Sequence, residues 1–522
     1  MAKPTKTTRT GRAARRAVAR PQTDAPPQSR VSVRHYCQGI GDCHLLRFPK
    51  PDGSAYWMLI DCGVHSSVSG GPDTMARIVA DIAEVTGAHL DVVVVTHEHT
   101  DHLSGFLTAA KEFADFTVGE VWMAWTENPT DPQARELDKY KQQALTALQM
   151  TSQRLDRAAH MSAHLSAVRT GLDALLGFSF GAKGDRVRAA RDAATSLAKG
   201  RVRYLEPTDP PITSTQLPDL RIYVLGPPRD AKLLGLTDRS SETYGAAFGF
   251  GWPIARALSG AFAADSAESG GTADQAAPFD SNVGTDFAHL AASGAVDPPA
   301  DVPPDIAAFA RDRYFGAAST AGPAIRSRRR TKTTDPNEHD QSWRRIDLDW
   351  LAAGADLAMQ LDSRTNNTSL VLAFEFTDTR RVLLFAADAQ VGSWLSWQDR
   401  QWLVDGQAVT GPDLLARTVY YKVGHHGSHN ATLKEKGLGL MTNKDLSAFI
   451  PTNEKDAKKV GWGQMPFGPI VKALAKICSN RVIRADDAWI AGTAPGPGFQ
   501  VPGGSIQALR SDSGLWVELH LA

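Results

Sequence analysis

Thr96-His97-Glu98-His99-Thr100-Asp101-His102 places four metal-ligand side chains, His97, His99, Asp101 and His102, within six consecutive positions. The segment directly follows the apolar run Val92-Val93-Val94-Val95. Side chains two apart on an extended chain point the same way, so His97 and His99 converge on one point. Asp101 and His102 follow as the chain turns into a helix, and they aim at a second point a few ångströms away. Imidazole and carboxylate are ligands for Zn²⁺ at roughly 2.0–2.2 Å. A lone histidine is usually a satisfied core or surface residue. Four such groups at a strand end would add unpaired polar atoms for no stabilising return, so the cluster reads as a metal site.

Two later strand ends carry further ligand types. The strand Arg381-Val382-Leu383-Leu384-Phe385 leads to Ala386-Ala387-Asp388, where a carboxylate can bridge two cations and offset their repulsion. Tyr420-Tyr421-Lys422-Val423 leads to Gly424-His425-His426-Gly427-Ser428-His429-Asn430. Either adjacent histidine qualifies; in an extended segment they face opposite ways, so one is expected to bind. Small glycine neighbours let a metal and a substrate approach the backbone. Asp61 is expected to order the metal-binding loops by hydrogen bonds, with direct metal binding as the alternative, and Cys62 to be a buried small hydrophobe. Asp42, Asn367 and Ser428 are either cleft-lining or turn residues. His160 and His164 stand one helical turn apart, a spacing a metal can use but one far commoner on exposed helices.

The elements that must position these groups are legible in outline. Leu45–Phe48 and Trp57–Ile60 read as strands around Pro51-Asp52-Gly53. A helix is expected from about Asp73 to Thr86, and four consecutive valines fit a strand buried on both faces of a sheet. Gln133 to Thr170 contains no Gly or Pro and repeats apolar residues at near-helical spacing, which predicts a long amphipathic helix or a helix pair. Leu220–Leu225 reads as a strand stopped by Gly226-Pro227-Pro228. Residues 259–305 are rich in Ala, Gly, Ser, Asp and Pro, and Arg326–Thr334 is basic, so a loose insertion is expected there. Strands return at Leu370–Phe376, Arg381–Ala386, Thr418–Val423, Ser447–Ile450 and Leu515–Leu521, with a helix near Pro469–Ile477.

The 522 residues allow two or three domains, or one large domain with insertions. With 57 Lys+Arg against 57 Asp+Glu, a globally basic nucleic-acid wrapper is excluded, though a local basic patch is not. Residues 1–30 hold eight Lys/Arg and one acid, Asp24, and are expected to form a disordered basic tail, first a solubility tail, then a nucleic-acid-contacting arm, and last an Arg-rich targeting peptide. Cys37, Cys43, Cys62 and Cys478 lack the spacing of a disulfide framework or zinc ribbon, which points to a reducing compartment. No run reaches the ~18–20 apolar residues of a membrane helix, and no secretion signal is recognised. A soluble cytoplasmic protein without membrane insertion is the expectation.

The HxHxDH run, the strand-end Asp388 and the final strand-end His resemble the metallo-β-lactamase superfamily. In detail the chain is most similar to the soluble hydrolase domain of the bacterial competence DNA-uptake channel family (ComEC-type). The likeness lies in Gln38-Gly39-Ile40-Gly41-Asp42, Leu59-Ile60-Asp61-Cys62-Gly63, Asn366-Asn367-Thr368-Ser369-Leu370-Val371-Leu372 and Lys422-Val423-Gly424-His425-His426-Gly427-Ser428. It covers about Val31–Ala110 and Leu220–Thr432 with gaps. The resemblance implies an α/β fold, the four-layer αββα sandwich, spanning residues 31–522. Insertions would fall at about 127–215, helical, and 229–360, partly disordered. It implies that His97 and His99 hold one metal, Asp101 and His102 a second, with Asp388 bridging and His426 favoured over His425 as the last ligand. It departs at Gly226, where many members carry a further histidine for the first metal. Two Zn²⁺ ions are expected, with Mn²⁺ or Fe compatible with the same ligands.

Metal-activated water needs no serine or cysteine nucleophile. Asp101 is a candidate to orient or deprotonate that water. Lys422, His425, Ser428 and His429 are candidates to contact a transition-state oxyanion. The expected activity is phosphodiester hydrolysis on nucleic acid or nucleotide. The alternatives are hydrolysis of a lactone, thioester or β-lactam, and a metal-stabilised interaction protein without catalysis.

Overall fold

Val92 and Val94 turn into a core between two β-sheets, whereas Val93 and Val95 pack outward under helices. That alternation, repeated along the neighbouring strands, sets the architecture. The computed structural model describes residues 29–158, 168–173, 176–177, 185–239, 241–244, 303–310, 353–459, 464–492 and 503–521. The strands are β1 (Val31–Tyr36), β2 (Cys43–Pro49), β3 (Ala55–Cys62), β4 (His89–Val95), β5 (Thr117–Ala124), β6 (Val202–Leu205), β7 (Ile212–Ser214), β8 (Leu217–Gly226), β9 (Val371–Phe376), β10 (Val382–Phe385), β11 (Gln401–Val404), β12 (Gln407–Thr410), β13 (Thr418–Lys422), β14 (Ser447–Ile450), β15 (Val482–Arg484), β16 (Ile506–Asp512) and β17 (Trp516–Leu521). One sheet has the order β16-β17-β1-β2-β3-β4-β5-β6 and the other β15-β14-β13-β10-β9-β8-β7, with β11-β12 a separate hairpin.

The inner core joins the two sheets face to face, with Leu46, Met58, Ile60, Val92 and Val94 on one side and Val224, Leu372, Phe374, Leu383 and Phe385 on the other. Outside the first sheet lie α1 (Gly71–Thr86), α2 (Thr100–Thr108) and, across its end, α4 (Asp185–Leu197), the last following α3 (Pro132–Ala158) in the chain. Outside the second lie the Trp394/Trp397 segment and the helix Gly468–Ile477, through Ile470 and Leu474. This is the αββα sandwich. α3 packs on α5 (Ala353–Asn367) through Ala144, Leu148, Leu357 and Leu361, a smaller core apart from the main one.

Several elements escape a reading by apolar runs. β1 contains Arg34 and His35, both buried; Arg34 is paired with Asp81 and Glu518, while His35 lies against His44. β5 is broken in pattern by Gly119, where a Cβ would lie 2.4 Å from the Asp91 carbonyl oxygen. β11 and β12 turn at Asp405-Gly406, both in the left-handed region. The expected tail lies outside the described residues except for positions 29 and 30, as do the Arg326–Thr334 patch, His160, His164 and most of 259–305. No helix among the described residues is long and apolar enough to cross a membrane.

Candidate metal centre

The C-terminal ends of β3, β4, β10 and β13 meet at one edge of the sandwich, and each delivers a polar side chain. Ligand atoms of Asp101, His102, Asp388 and His426 all lie within 4.8 Å of one another, a grouping that can hold a metal ion. His426 Nε2 is 2.7 Å from Asp101 Oδ2 and 3.6 Å from Asp388 Oδ2. His102 Nε2 is 3.3 Å from Asp388 Oδ2, yet it makes no hydrogen bond, and neither does the buried Asp101 Oδ1. A buried imidazole nitrogen and a buried carboxylate oxygen left without hydrogen bonds around one point are what a cation would satisfy once His102 gives up its proton. Beside this group, His97 Nε2 and His99 Nδ1 face each other at 3.1 Å. The donor set therefore fits divalent ions of the zinc class.

Outer partners orient these rings. His426 Nδ1 donates to the Pro451 carbonyl at 3.1 Å, which turns Nε2 toward the carboxylates. Asp61 accepts from the Thr96 backbone at 2.8 Å, from the Thr96 hydroxyl at 2.7 Å and from His102 Nδ1 at 2.8 Å. These bonds tie the loop after β4 to the end of β3, and Asp61 also falls with Asp42 and His102 in a second group that could hold a metal ion. The His425 backbone N–H donates to Asp388 Oδ1 at 3.1 Å. Asp61, Ala387, His425 and His426 all have positive φ, between 42° and 56°. Each such non-glycine conformation costs about 1–3 kcal/mol, and here all four sit where strand ends deliver the site.

Close backbone approach explains two of the glycine motifs. A Cβ on Gly63 would lie 2.3 Å from the Asp101 carbonyl, and one on Gly41 2.6 Å from the same oxygen. The Asp42 N–H donates to the Asp101 carbonyl at 3.1 Å. The turns at 38–42 and 61–63 are thus the bed on which Asp101-His102 lies. Gly226 is different. A Cβ there would meet Ser393 Oγ at 2.7 Å and Val371 Cγ2 at 3.3 Å, so a side chain at the end of β8 would require Ser393 and Val371 to shift.

Electrostatics follow from crowding acids and imidazoles in a dry place. Burial opposes a charge on His102, but Asp388, Asp101, Asp42 and Asp61 outweigh it and raise its pKa well above the usual value. Burial would raise the Asp388 carboxyl; His102 and His426 instead hold it well below the carboxylate range. Burial pushes His97 far down and His99 to about 3, so both rings are neutral at physiological pH and need lose no proton to bind metal.

Of the two candidate ligands at the last strand end, His426 joins the group with Asp101, His102 and Asp388, whereas His425 does not. His425 lies 2.7 Å from Ser428 Oγ through Nδ1 and 3.3 Å from Asn366 Nδ2 through Nε2, with its pKa lowered to about 4 by burial. Ser428 in turn donates to Asn430 Oδ1 at 2.8 Å. Lys422, expected to reach an oxyanion, is 1 % exposed and forms an ion pair with Asp42 in the interior. Its charge is spent there, because a buried ammonium needs a partner. His429 is half-buried, its ring edge-on to Phe467.

Sequence reasoning passed over two contributors. Glu98, between the two histidines, points the opposite way and accepts from Lys141 of α3 at 2.5 Å and Arg191 of α4 at 2.6 Å. The period-2 alternation of an extended segment was the available signal, since it puts position 98 on the far side. Asp362 of α5 lies 3.6 Å from His99 Nε2. No local pattern marks it, because only the docking of α5 on α3 brings it near.

A family model of the metallo-beta-lactamase superfamily matches residues 38–147, from the first glycine turn through the histidine cluster into α3. No curated protein and no solved structure gives a significant match. Residues 38–147 thus carry a metallo-beta-lactamase superfamily domain, a superfamily made up mostly of metal-dependent hydrolases. Asp388 and His426 lie beyond the matched segment, and the fold brings them to it.

Proposed function

We propose that the protein is a binuclear metal-dependent hydrolase acting on phosphodiesters of nucleic acid or nucleotide. The observation that carries the metal-dependent part is the convergence of Asp101, His102, Asp388 and His426 within 4.8 Å, next to the facing pair His97 and His99. His97 and His99 would hold one ion, Asp101, His102 and His426 the other, and Asp388 would bridge. Bound divalent ions supply water ionised near neutral pH and charge to offset that developing on the substrate. Asp101 and Asp388 hold the negative charge that fixes the ions. Asp61, Pro451 and Thr96 keep the rings aimed, and Lys422 neutralises Asp42 behind the centre. The His425–Ser428–Asn430 chain places a neutral imidazole beside Asp388, suited to donate to or accept from a substrate oxygen after a small rearrangement.

The phosphodiester assignment is supported by the ComEC-type motifs around Asp42, Asp61, Asn367 and His426 and by the basic segments 1–30 and 326–332. Zn²⁺ is the favoured ion, with Mn²⁺ or Fe compatible with these donors. Elemental analysis with bis-nitrophenyl phosphate and chromogenic ester panels, before and after chelation, tests the reading. Phosphodiester turnover that chelation abolishes and Zn²⁺ restores is expected, with loss of about 10³-fold or more in Asp388→Ala. Turnover of esters or lactones alone would move the assignment to the second substrate class. Metal bound with no turnover of either would leave a metal-stabilised interaction protein.

A further inference from the structure

We propose that Asp362, brought in on α5, is the positioning residue that sets the tautomer of His99 and so makes the His97/His99 pair a cation site. The inference rests on the metal-centre reading above and adds a residue outside the motifs that carry it.

Thr96 Oγ1 donates to Asp61 Oδ2 at 2.7 Å, so its contact with His97 Nδ1 at 3.1 Å is one in which His97 donates. The proton of neutral His97 therefore sits on Nδ1, and Nε2 presents a lone pair. That Nε2 faces His99 Nδ1. If His99 carried its proton on Nδ1, the two rings would close into a histidine–histidine hydrogen bond and neither lone pair would serve a metal. Asp362 Oδ1 stands 3.6 Å from the other nitrogen, His99 Nε2, a few tenths of an ångström short of a hydrogen bond. An ionised carboxylate only accepts, so it draws the proton to Nε2 and leaves Nδ1 unprotonated. Two lone pairs then face each other at 3.1 Å, which is repulsive unless a cation lies between them. Two nitrogens on a tetrahedral zinc ion stand about 3.3 Å apart.

The helix is built to hold this carboxylate in place. Leu357 and Leu361 face α3, and a Cβ on Gly354 would come within 2.6 Å of Thr151, so the two helices pack closely. Asp362 follows Leu361 and turns away from it, and Asn366, four residues on, shares the face of Asp362. Asn366 Nδ2 is 3.4 Å from Asp362 Oδ2 and 3.3 Å from His425 Nε2. Asn367 binds the Leu236 carbonyl at 2.8 Å and accepts from the Gln390 N–H at 3.1 Å. Gly226 supplies no third imidazole from the end of β8, so the orientation of His97 and His99 bears directly on whether this ion is held.

Zinc titration of the full chain, Asp362→Asn and Asp362→Glu against a chromophoric chelator, combined with imidazole nitrogen NMR of the zinc-loaded proteins, tests the assignment. The unsubstituted protein is expected to bind two ions, with His99 ligated through Nδ1 and protonated on Nε2. Asp362→Asn should weaken one ion by about 10–100-fold and leave the other unchanged, and Asp362→Glu should recover part of the loss. Equal affinity for both ions in Asp362→Asn, or His99 protonated on Nδ1 in the unsubstituted protein, overturns the proposal. A single ion held without His99 also overturns it while the metal-centre reading stands. Binding of no metal at all defeats that underlying reading instead. Should Asp362→Asn fail to fold, the His99 tautomer in the unsubstituted protein decides alone.

Discussion

Asp101 Oδ2 and His426 Nε2 lie 2.7 Å apart although 325 positions separate them in the chain. One follows β4 in the first sheet and the other follows β13 in the second, so the contact exists only because the two sheets close on each other with these strand ends at the same edge. The Thr96 carbonyl accepts from the Leu370 N–H at 2.9 Å, which ties the same edge together at the level of the backbone. The centre is therefore a seam between two halves of the fold, and its chemistry and the stability of that seam are coupled.

That coupling makes stability depend on pH differently with and without metal. In the metal-free protein the His102 and His426 pKa values are raised: burial opposes the charge, but Asp388 first, then Asp101, outweigh it. A raised folded value contributes stability that is present below the unfolded histidine value near 6.5 and is lost as pH climbs through the folded value. Chelated protein should therefore lose thermal stability on the alkaline side of neutrality, whereas zinc-loaded protein should hold its Tm over the same range. Melting scans at several pH values, with chelator and with zinc, measure this; parallel curves would contradict it.

The Lys422–Asp42 pair makes a separate claim about the interior. Asp42 is held well below the carboxylate range: burial works against its charge, and Lys422 and then His102 overcome that. Lys422→Met should leave the carboxylate uncompensated and cost about 3–5 kcal/mol in urea unfolding. The double variant with Asp42→Asn should recover part of that loss. Additive losses would mean the two charges are not coupled.

Gly63 and Gly53 separate close approach from backbone conformation. At Gly63 a Cβ would lie 2.3 Å from the Asp101 backbone, whereas at Gly53, φ +84°, nothing lies within 4 Å. Gly53→Ala should cost about 1 kcal/mol through its left-handed backbone alone. Gly63→Ala should cost more, on the order of 1–3 kcal/mol from overpacking, and should also lower zinc affinity because Asp101 and His102 must move. Calorimetry with metal titration of both variants checks the contrast.

If residues 1–30 and 326–332 contact phosphates, nucleic-acid affinity should fall steeply with salt, and removal of the first 28 residues should flatten that slope. Fluorescence anisotropy with single- and double-stranded oligonucleotides at several salt concentrations reads it. An affinity indifferent to salt would assign the basic segments to solubility.

How far the centre could be read ahead of the fold depends on how local each signal is. The run from His97 to His102 declares itself because five ionisable side chains in six positions have no structural use at a strand end. Asp388 is recognisable as a carboxylate just past an apolar strand. The choice between His425 and His426 rests on resemblance, because alternation applies to extended chain and both residues adopt left-handed backbone instead. In the fold His426 Nδ1 donates to the Pro451 carbonyl, whereas His425 Nδ1 lies against Ser428. Lys422 reads as a candidate to contact an oxyanion, and only the packing of the two sheets shows that Asp42 takes its charge.

The amino-acid order by itself determined which chemical groups are present and which strands present them, since those follow from side-chain type and from periodicities of two and 3.6 residues. The tertiary structure alone decided which groups meet: the Asp101–His426 contact, the burial of Lys422 and the approach of Asp362 to His99. The physical reason is that each depends on surfaces far apart in the chain being pressed together. The inter-sheet core and the packing of α5 on α3 supply that pressure, and no local pattern encodes it.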